Sequence, residues 1–244
     1  MIWRTIAGRC IHRGSNGLQV RQNLIYRWLT FDSPAIQTLL NYRHPERFGL
    51  NYINALTLPA RTHPAPSCLL GLGGAGIAHA LAPCFGDIQL DAIEHSLEVI
   101  EISSRYFMTD QLKNLHIIHQ DAVVHVHHTT SRYQHLMIDL FNAHSFPEHC
   151  NNNDFFMNCK RLLLPHGVLA VNLANLREHW SVFMNIRDQF QQCTVCIPIK
   201  GTANVVVLAY KGASIKPLLS LLENNHPIKK LTWDSQWGCV AQFK

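Results

Sequence analysis

No stretch of this sequence is apolar for long enough to cross a membrane, so no membrane-spanning helix and no membrane partner are expected. No block of lysine or arginine interrupts it. The formal charge of +5 is spread along 244 residues and leaves no basic footprint for a nucleic acid. Charge of either sign is scarce, at 15% of residues against 47% hydrophobic, and so apolar a chain is expected to fold rather than stay disordered. Met1-Ile2-Trp3-Arg4-Thr5 has neither the apolar core nor the cleavage site of a secretory leader, so a cytoplasmic location is expected. No second pair accompanies Cys193-Thr194-Val195-Cys196, and the eight cysteines are scattered through apolar segments. They read as small buried hydrophobes, not as a disulfide frame or a zinc site. His125, His127 and His128 lie close together, but neither strand nor helix spacing converges all three, so no metal is expected. There is no internal repeat, and Asn151-Asn152-Asn153 reads as a polar loop.

What is present is an ordered alternation. Thr5–His12, Leu18–Asn23 and Leu24–Phe31 read as short antiparallel strands around a turn at Gly14-Ser15-Asn16-Gly17. Asp32-Ser33-Pro34 ends that unit and caps a helix over Ala35–Leu40; Asn51–Leu58 is a weaker helical stretch. From Ser67 onward strands and helices alternate. The strands are Cys68–Leu70, Ile88–Glu94, Leu115–His119, His135–Phe141 and Val168–Leu173. The helices are Gly76–Phe85, Leu97–Phe107, Asp154–Leu164 (stopped by Pro165-His166-Gly167) and Glu178–Phe190. Thr194–Ile199 and Asn204–Tyr210 close the series as an antiparallel pair. The expected fold is therefore α/β, a Rossmann-like and mostly parallel sheet with an antiparallel edge pair, preceded by a small N-terminal β unit. The expected organisation is residues 1–58 for that unit and an entrance segment, 59–212 for the Rossmann-like domain, and 213–244 for a C-terminal helix and tail, where Trp233 and Trp237 pack against the body or a partner subunit.

Gly71-Leu72-Gly73-Gly74-Ala75-Gly76 follows a strand and opens a helix. Glycine lets the chain turn tightly and lets a ligand approach the backbone, and the helix behind it offers free N–H groups. Glu94 ends the second strand, roughly twenty residues on, where a carboxylate accepts both hydroxyls of a ribose. Asp121, followed by Ala122, ends the third strand and is placed either to receive an exocyclic adenine amine or to cap the next helix. Gly71, Gly73, Gly74, Gly76, Glu94, Asp121 and Ala122 together describe an adenosine pocket at the carboxyl ends of parallel strands.

Longer stretches carry a resemblance. Leu69 through Gly76, Ile93-Glu94 through Val99-Ile100 to Tyr106-Phe107, Asp121-Ala122 and Met137-Ile138-Asp139 resemble spermidine synthase and its spermidine-synthase-like relatives. So do Phe146-Pro147-Glu148-His149, Asp154-Phe155-Phe156 and Leu162 through Leu173. The similarity covers roughly residues 18–210. It implies a class I methyltransferase fold and S-adenosylmethionine or decarboxylated S-adenosylmethionine in the pocket, with no metal. It also implies a small amine acceptor, of which a polyamine is one, and is compatible with a homodimer. Gln37 and Tyr52 fall where the family carries a glutamine and a tyrosine at the active-site entrance, and Asp139 matches the first of its two catalytic aspartates.

The departures are equally specific. The family's loop reads Gly-Gly-Gly-Asp-Gly-Gly, and its aspartate, which holds the charged aminopropyl end, falls on Gly74. The second catalytic aspartate falls on Asn142, which has no basic site near neutral pH. The family's Tyr-His-Glu becomes Tyr52-Ile53-Asn54. His79 and His144 are candidates for the pocket mouth, and His144, beyond Asn142, is a candidate substitute base. Two readings stand. One is a transferase moving an aminopropyl or methyl group from a sulfonium nucleoside to a small amine-type acceptor, with synthesis from putrescine weak or absent. The other is a catalytically degenerate nucleoside-binding or protein-interaction module of the same fold. An NAD-type oxidoreductase is disfavoured, because no substrate domain follows.

Overall fold

A computed structural model of the chain describes residues 2–32, 35–140, 145–174, 176–224 and 228–243. One helical turn, α1 (Ile2–Thr5), precedes strands β1 (Arg9–Arg13), β2 (Gln19–Gln22), β3 (Tyr26–Thr30) and β4 (Ile36–Asn41), which form a four-stranded antiparallel sheet in sequence order. β4 overturns the helix expected over Ala35–Leu40. Its residues are buried towards two sides: Leu39 joins Trp28 and Leu50, while Leu40 joins Leu18, Leu29, Val99 and Phe107. A short run buried on both faces shows no alternation from which its period can be read, and pairing with β3 decides its conformation.

Two short helices, α2 (Tyr52–Leu56) and α3 (Leu58–Thr62), lead into the second sheet. There follow β5 (Ser67–Leu70), α4 (Gly76–Phe85), β6 (Leu90–Glu94), α5 (Leu97–Phe107), β7 (Leu115–His119), α6 (Ala122–His128) and β8 (Tyr133–Ile138). Then come α7 (Asn153–Leu162), β9 (Leu163–Leu173), α8 (Leu176–Gln189), β10 (Thr194–Pro198) and β11 (Val205–Tyr210). The strand order is β12-β13-β10-β11-β9-β8-β5-β6-β7, where β12 (Ile228–Asp234) and β13 (Gly238–Phe243) follow a last helix, α9 (Lys216–Glu223). The strands from β9 to β7 are parallel, and β11 runs antiparallel between β9 and β10.

Consecutive residues of β5 face opposite sides. Leu69 packs with Ala92, Met137 and Leu208, whereas Cys68 and Leu70 pack with Ile93, Leu136, Ile138 and Phe155. Both faces of the sheet are thus covered, as a parallel sheet requires. The first sheet is fixed to this body through α5: Val99, Ile102 and Phe107 meet Leu18, Val20, Leu29 and Leu40. Each fully buried side chain of this size contributes roughly 1.5–3 kcal/mol.

Two further segments differ from expectation. Pro165-His166-Gly167 does not separate helix from strand; β9 already begins at Leu163. The extra residues form a bulge, with the register passing from Tyr133↔Leu163 to His135↔Val168 and His166 at φ +65°. The tail expected at the C-terminus is a β-hairpin that extends the sheet through β13 against β10. Asp234 makes its turn by accepting the N–H groups of Gln236 and Trp237, both at 2.8 Å, and Gly238 takes φ +71°. Trp237 packs on Phe183 and Trp180, whereas Trp233 is exposed.

β5 pairs with β6 on one side and β8 on the other. The chain leaves β5 towards β6 and β7 and returns on the far side as β8, so the loops after β5 and β8 diverge. A crevice opens at the carboxyl ends of these strands, which is where the candidate site lies.

Candidate functional site

The floor of the crevice is the loop after β5. Gly71 takes φ +95°, and a Cβ there would stand 2.4 Å from the backbone oxygen of Asp139, so only glycine fits between β5 and β8. Gly71, Gly73 and Gly76 line a cavity of about 290 Å³ together with Leu72, close to the lower end of small-ligand sites. Gly74, expected to line it, does not. It is buried, its N–H donates to Thr38 Oγ1 at 2.9 Å, and a Cβ would come 2.8 Å from Thr38 Cγ2 and 2.9 Å from Phe107 Cδ1. The missing aspartate at this position is therefore a feature of the packing: β4 and the end of α5 occupy the space a side chain would need.

Glu94 ends β6 and lines the same cavity. Its Oε2 accepts the Leu72 N–H at 3.1 Å, its Oε1 accepts the Ser96 N–H at 3.0 Å, and His95 Nδ1 stands 3.1 Å from Oε1. Burial alone would raise this carboxyl; the hydrogen bonds from His95, Ser96 and Leu72 outweigh burial and hold it below the usual carboxylate range. Asp121 lies beyond β7. Its Oδ1 accepts from Val123 N–H (2.8 Å) and Val124 N–H (3.1 Å), capping α6, and its Oδ2 stands 3.4 Å from His149 Nε2. Both sequence readings of Asp121 are thus compatible with its position, because Asp121 and Ala122 also line a narrower cavity of about 70 Å³. Gly71, Glu94, His95 and Leu140 border both cavities, which makes them one crevice.

Asp139 follows β8 at the other end. Tyr52 OH donates to its Oδ2 at 2.7 Å and Asn172 Nδ2 to its Oδ1 at 2.8 Å. Burial pushes its carboxyl above the usual range, and these two hydrogen bonds only partly offset that. The Tyr52 phenol is raised well above its ordinary value by burial and then by the neighbouring Asp139 charge. Gln37 lines the cavity beside Tyr52. Asn142 and His144 lie outside the described residues. His79 is not at the mouth: it is buried within α4, where its Nε2 meets the Phe107 carbonyl at 2.6 Å.

Sequence reasoning missed three contributors. Thr38 supports the glycine loop. Ser15, in the β1–β2 turn, closes one wall: its N–H donates to Glu98 Oε1 at 2.8 Å and its hydroxyl to Oε2. Asn172 holds Asp139 from within β9, where it interrupts the apolar run Val168–Leu173; one polar residue in a buried strand is a signal that could have found it. Elsewhere, the His125–His128 cluster divides. His125 Nδ1 meets Gln120 Oε1 at 3.0 Å, and His127 Nε2 meets Asp154 Oδ2 at 2.9 Å. Cys193 and Cys196 are buried free thiols, pushed up by burial, Cys196 to about 12.

No protein-family model matches the chain. It is similar to a curated polyamine aminopropyltransferase of Vibrio vulnificus (strain CMCP6), 29% identical over 157 residues that cover 60% of this chain and 52% of the relative. The chain thus spans about half the length of that relative. The crystal structure of spermidine synthase from Thermotoga maritima matches with a TM-score of 0.66 at 16% identity, over 85% of this chain and 74% of that one. Human methyltransferase-like protein 13 in complex with SAH matches with a TM-score of 0.59 at 19% identity, over 77% of this chain and 97% of that one. These structures share the fold of this chain, that of the class I methyltransferases, and in sequence the chain is similar to polyamine aminopropyltransferases.

Proposed function

We propose that the chain is a transferase of the spermidine-synthase type, which binds S-adenosylmethionine, its decarboxylated form or methylthioadenosine and moves an aminopropyl or methyl group to a small amine-type acceptor. One observation carries the reading: the loop after β5, Glu94, Asp121 and Asp139 border one crevice across the carboxyl ends of β5, β6, β7 and β8. The names of the curated relative and of the structural neighbours support the same choice.

The residues present fit such a nucleoside. The cradle at Gly71 and Gly73 admits no Cβ without crowding Asp139 O or Thr38 Oγ1. Glu94 lies where it can accept ribose hydroxyls, in exchange for its contact with the exposed His95. Asp121 Oδ2 is left by the helix cap to accept an adenine amine. A sulfonium nucleoside, when bound, supplies an electrophilic carbon and a neutral thioether leaving group. Asp139 does the rest of the work. An amine must be unprotonated to attack, so its proton needs an acceptor, and a carboxylate raised by burial is a better base than an exposed one. Tyr52 OH and the Asn172 amide each engage one oxygen of Asp139, which itself lines the cavity. This retained base is why the non-catalytic alternative is not favoured. An acceptor that carries a second ammonium needs a further carboxylate to offset its desolvation, and Glu98 lines the same cavity as Asp139.

Calorimetry with methylthioadenosine tests the pocket. Glu94→Gln removes a charge-assisted partner and is expected to weaken binding about tenfold or more, from roughly 1.5–3 kcal/mol. Unchanged affinity would sink the assignment.

A further inference from the structure

Behind the cavity, a polar relay crosses three neighbouring strands. Asp139 follows β8, Asn172 lies near the end of β9, and Asn204 immediately precedes β11. Asn172 is 1% exposed, so both ends of its amide depend on protein partners. Its Nδ2 donates to Asp139 Oδ1 at 2.8 Å, and its Oδ1 accepts from Asn204 Nδ2, also at 2.8 Å. Asn204 is in turn set by the β10–β11 turn. Ile199 N–H donates to the Asn204 carbonyl at 2.9 Å, the Asn204 N–H donates to Thr202 Oγ1 at 3.1 Å, and Thr202 Oγ1 donates to the Ile199 carbonyl at 3.1 Å.

The direction of this relay is chemically determined. A carboxylate only accepts hydrogen bonds, so Asn172 must turn its NH₂ towards Asp139. That leaves its carbonyl facing Asn204, which must then donate. If the Asn172 amide were reversed, its oxygen would face a carboxylate and its NH₂ would face another NH₂. The Asn204 contact thereby supports this orientation of the Asn172 amide, whose NH₂ favours the ionised form of Asp139.

We propose that Asn172 and Asn204 are positioning residues for Asp139, with Asn204 acting entirely through Asn172 to set the proton affinity of the base. This rests on the reading of Asp139 as the proton acceptor in the proposed transfer. The titration of Asp139 itself can nevertheless be followed without any turnover. Burial raises its carboxyl and donated hydrogen bonds lower it, so losing a donor must move its midpoint upward.

The test is the carboxyl-carbon NMR titration of Asp139 in the ligand-free full chain, its resonance identified by its loss in Asp139→Asn. Asn172→Ala is expected to raise the proton affinity of Asp139 about tenfold, and Asn204→Ala roughly threefold. In the Asn172→Ala background, Asn204→Ala is expected to add nothing, since its only route has been removed. If Asn172→Ala does not fold, Asn172→Thr takes its place, because a threonine suits a strand and cannot span from Asn204 to Asp139. An unmoved midpoint in Asn204→Ala, or an equal shift in both backgrounds, would overturn the relay. A transfer assay on the wild-type chain separates the two ideas: absent turnover with every sulfonium nucleoside counts against the proposed function, while the coupled titration still decides the relay.

Discussion

The two ends of the crevice are built differently. At the nucleoside end, Glu94 and Asp121 are held mainly by backbone N–H groups two or three residues away, those of Ser96, Val123 and Val124, with one more from Leu72. At the reacting end, the partners of Asp139 lie 87 residues away, at Tyr52, and 33 residues away, at Asn172. The first end is a local device that any strand, turn and helix of this kind makes for itself. The second exists only once three distant segments have come together.

The largest expected effect follows from that division. Asp139→Asn keeps the size of the side chain but removes the base, and should lower the rate of transfer by about 10²–10⁴-fold. Affinity for methylthioadenosine should change by less than about threefold, within the range of a neutral surface substitution. Glu94→Gln should show the reverse pattern in binding. The comparison breaks if Asp139→Asn costs as much nucleoside affinity as Glu94→Gln does.

A smaller effect is expected at Gly74, in the loop after β5 but packed away from the cavity. Returning the family's aspartate is not a simple restoration here, since the added Cβ meets Thr38 Cγ2 and Phe107 Cδ1. Gly74→Ala, and still more Gly74→Asp, should destabilise the fold by roughly 1–3 kcal/mol through overpacking, read from denaturant midpoints. Thr38→Ser removes one of the clashing carbons while keeping the hydroxyl that accepts the Gly74 N–H. It should therefore recover part of the loss in Gly74→Ala; no recovery would mean that the strain lies against Phe107 alone.

The same contrast explains which parts were legible in the sequence. The loop after β5, Glu94 and Asp121 could be read because each follows a short apolar strand and precedes a helix, so position along the chain already gives position in the fold. β4 could not be read, because Leu39 and Leu40 are buried towards different cores and leave no alternation. The C-terminal hairpin was missed because its turn is made by the Asp234 side chain and a left-handed Gly238, without the Asn-Gly or Asp-Gly pair that marks a tight turn. Asn172, Asn204 and Thr38 take their importance from neighbours far away in sequence. Asn172 stands out as the polar residue of an apolar run, but its position alone does not say that its amide faces Asp139, beyond the next strand.

The smallest effect is the most diagnostic, because the two ends should respond to pH with opposite sign. Glu94 has a carboxyl held below its ordinary value, so its contribution to stability is present above the unfolded-state value, roughly 4.3, and is lost as pH falls through the folded one. His95, raised by Glu94, limits the other side: its contribution is present below its unfolded value and is lost as pH rises through the folded one. Both are muted by the exposure of His95. Asp139 is the opposite case. Its raised carboxyl binds a proton more tightly folded than unfolded, so the wild type loses stability as pH rises from the unfolded value, roughly 3.9, through the folded one. Denaturation of the wild type, Glu94→Gln and Asp139→Asn across this acid range separates the two. Relative to the wild type, Asp139→Asn should gain stability as pH rises, and Glu94→Gln should lose it. Parallel slopes would mean that the two carboxylates sit in equivalent surroundings, and the division between a self-contained nucleoside end and an assembled reacting end would have to be given up.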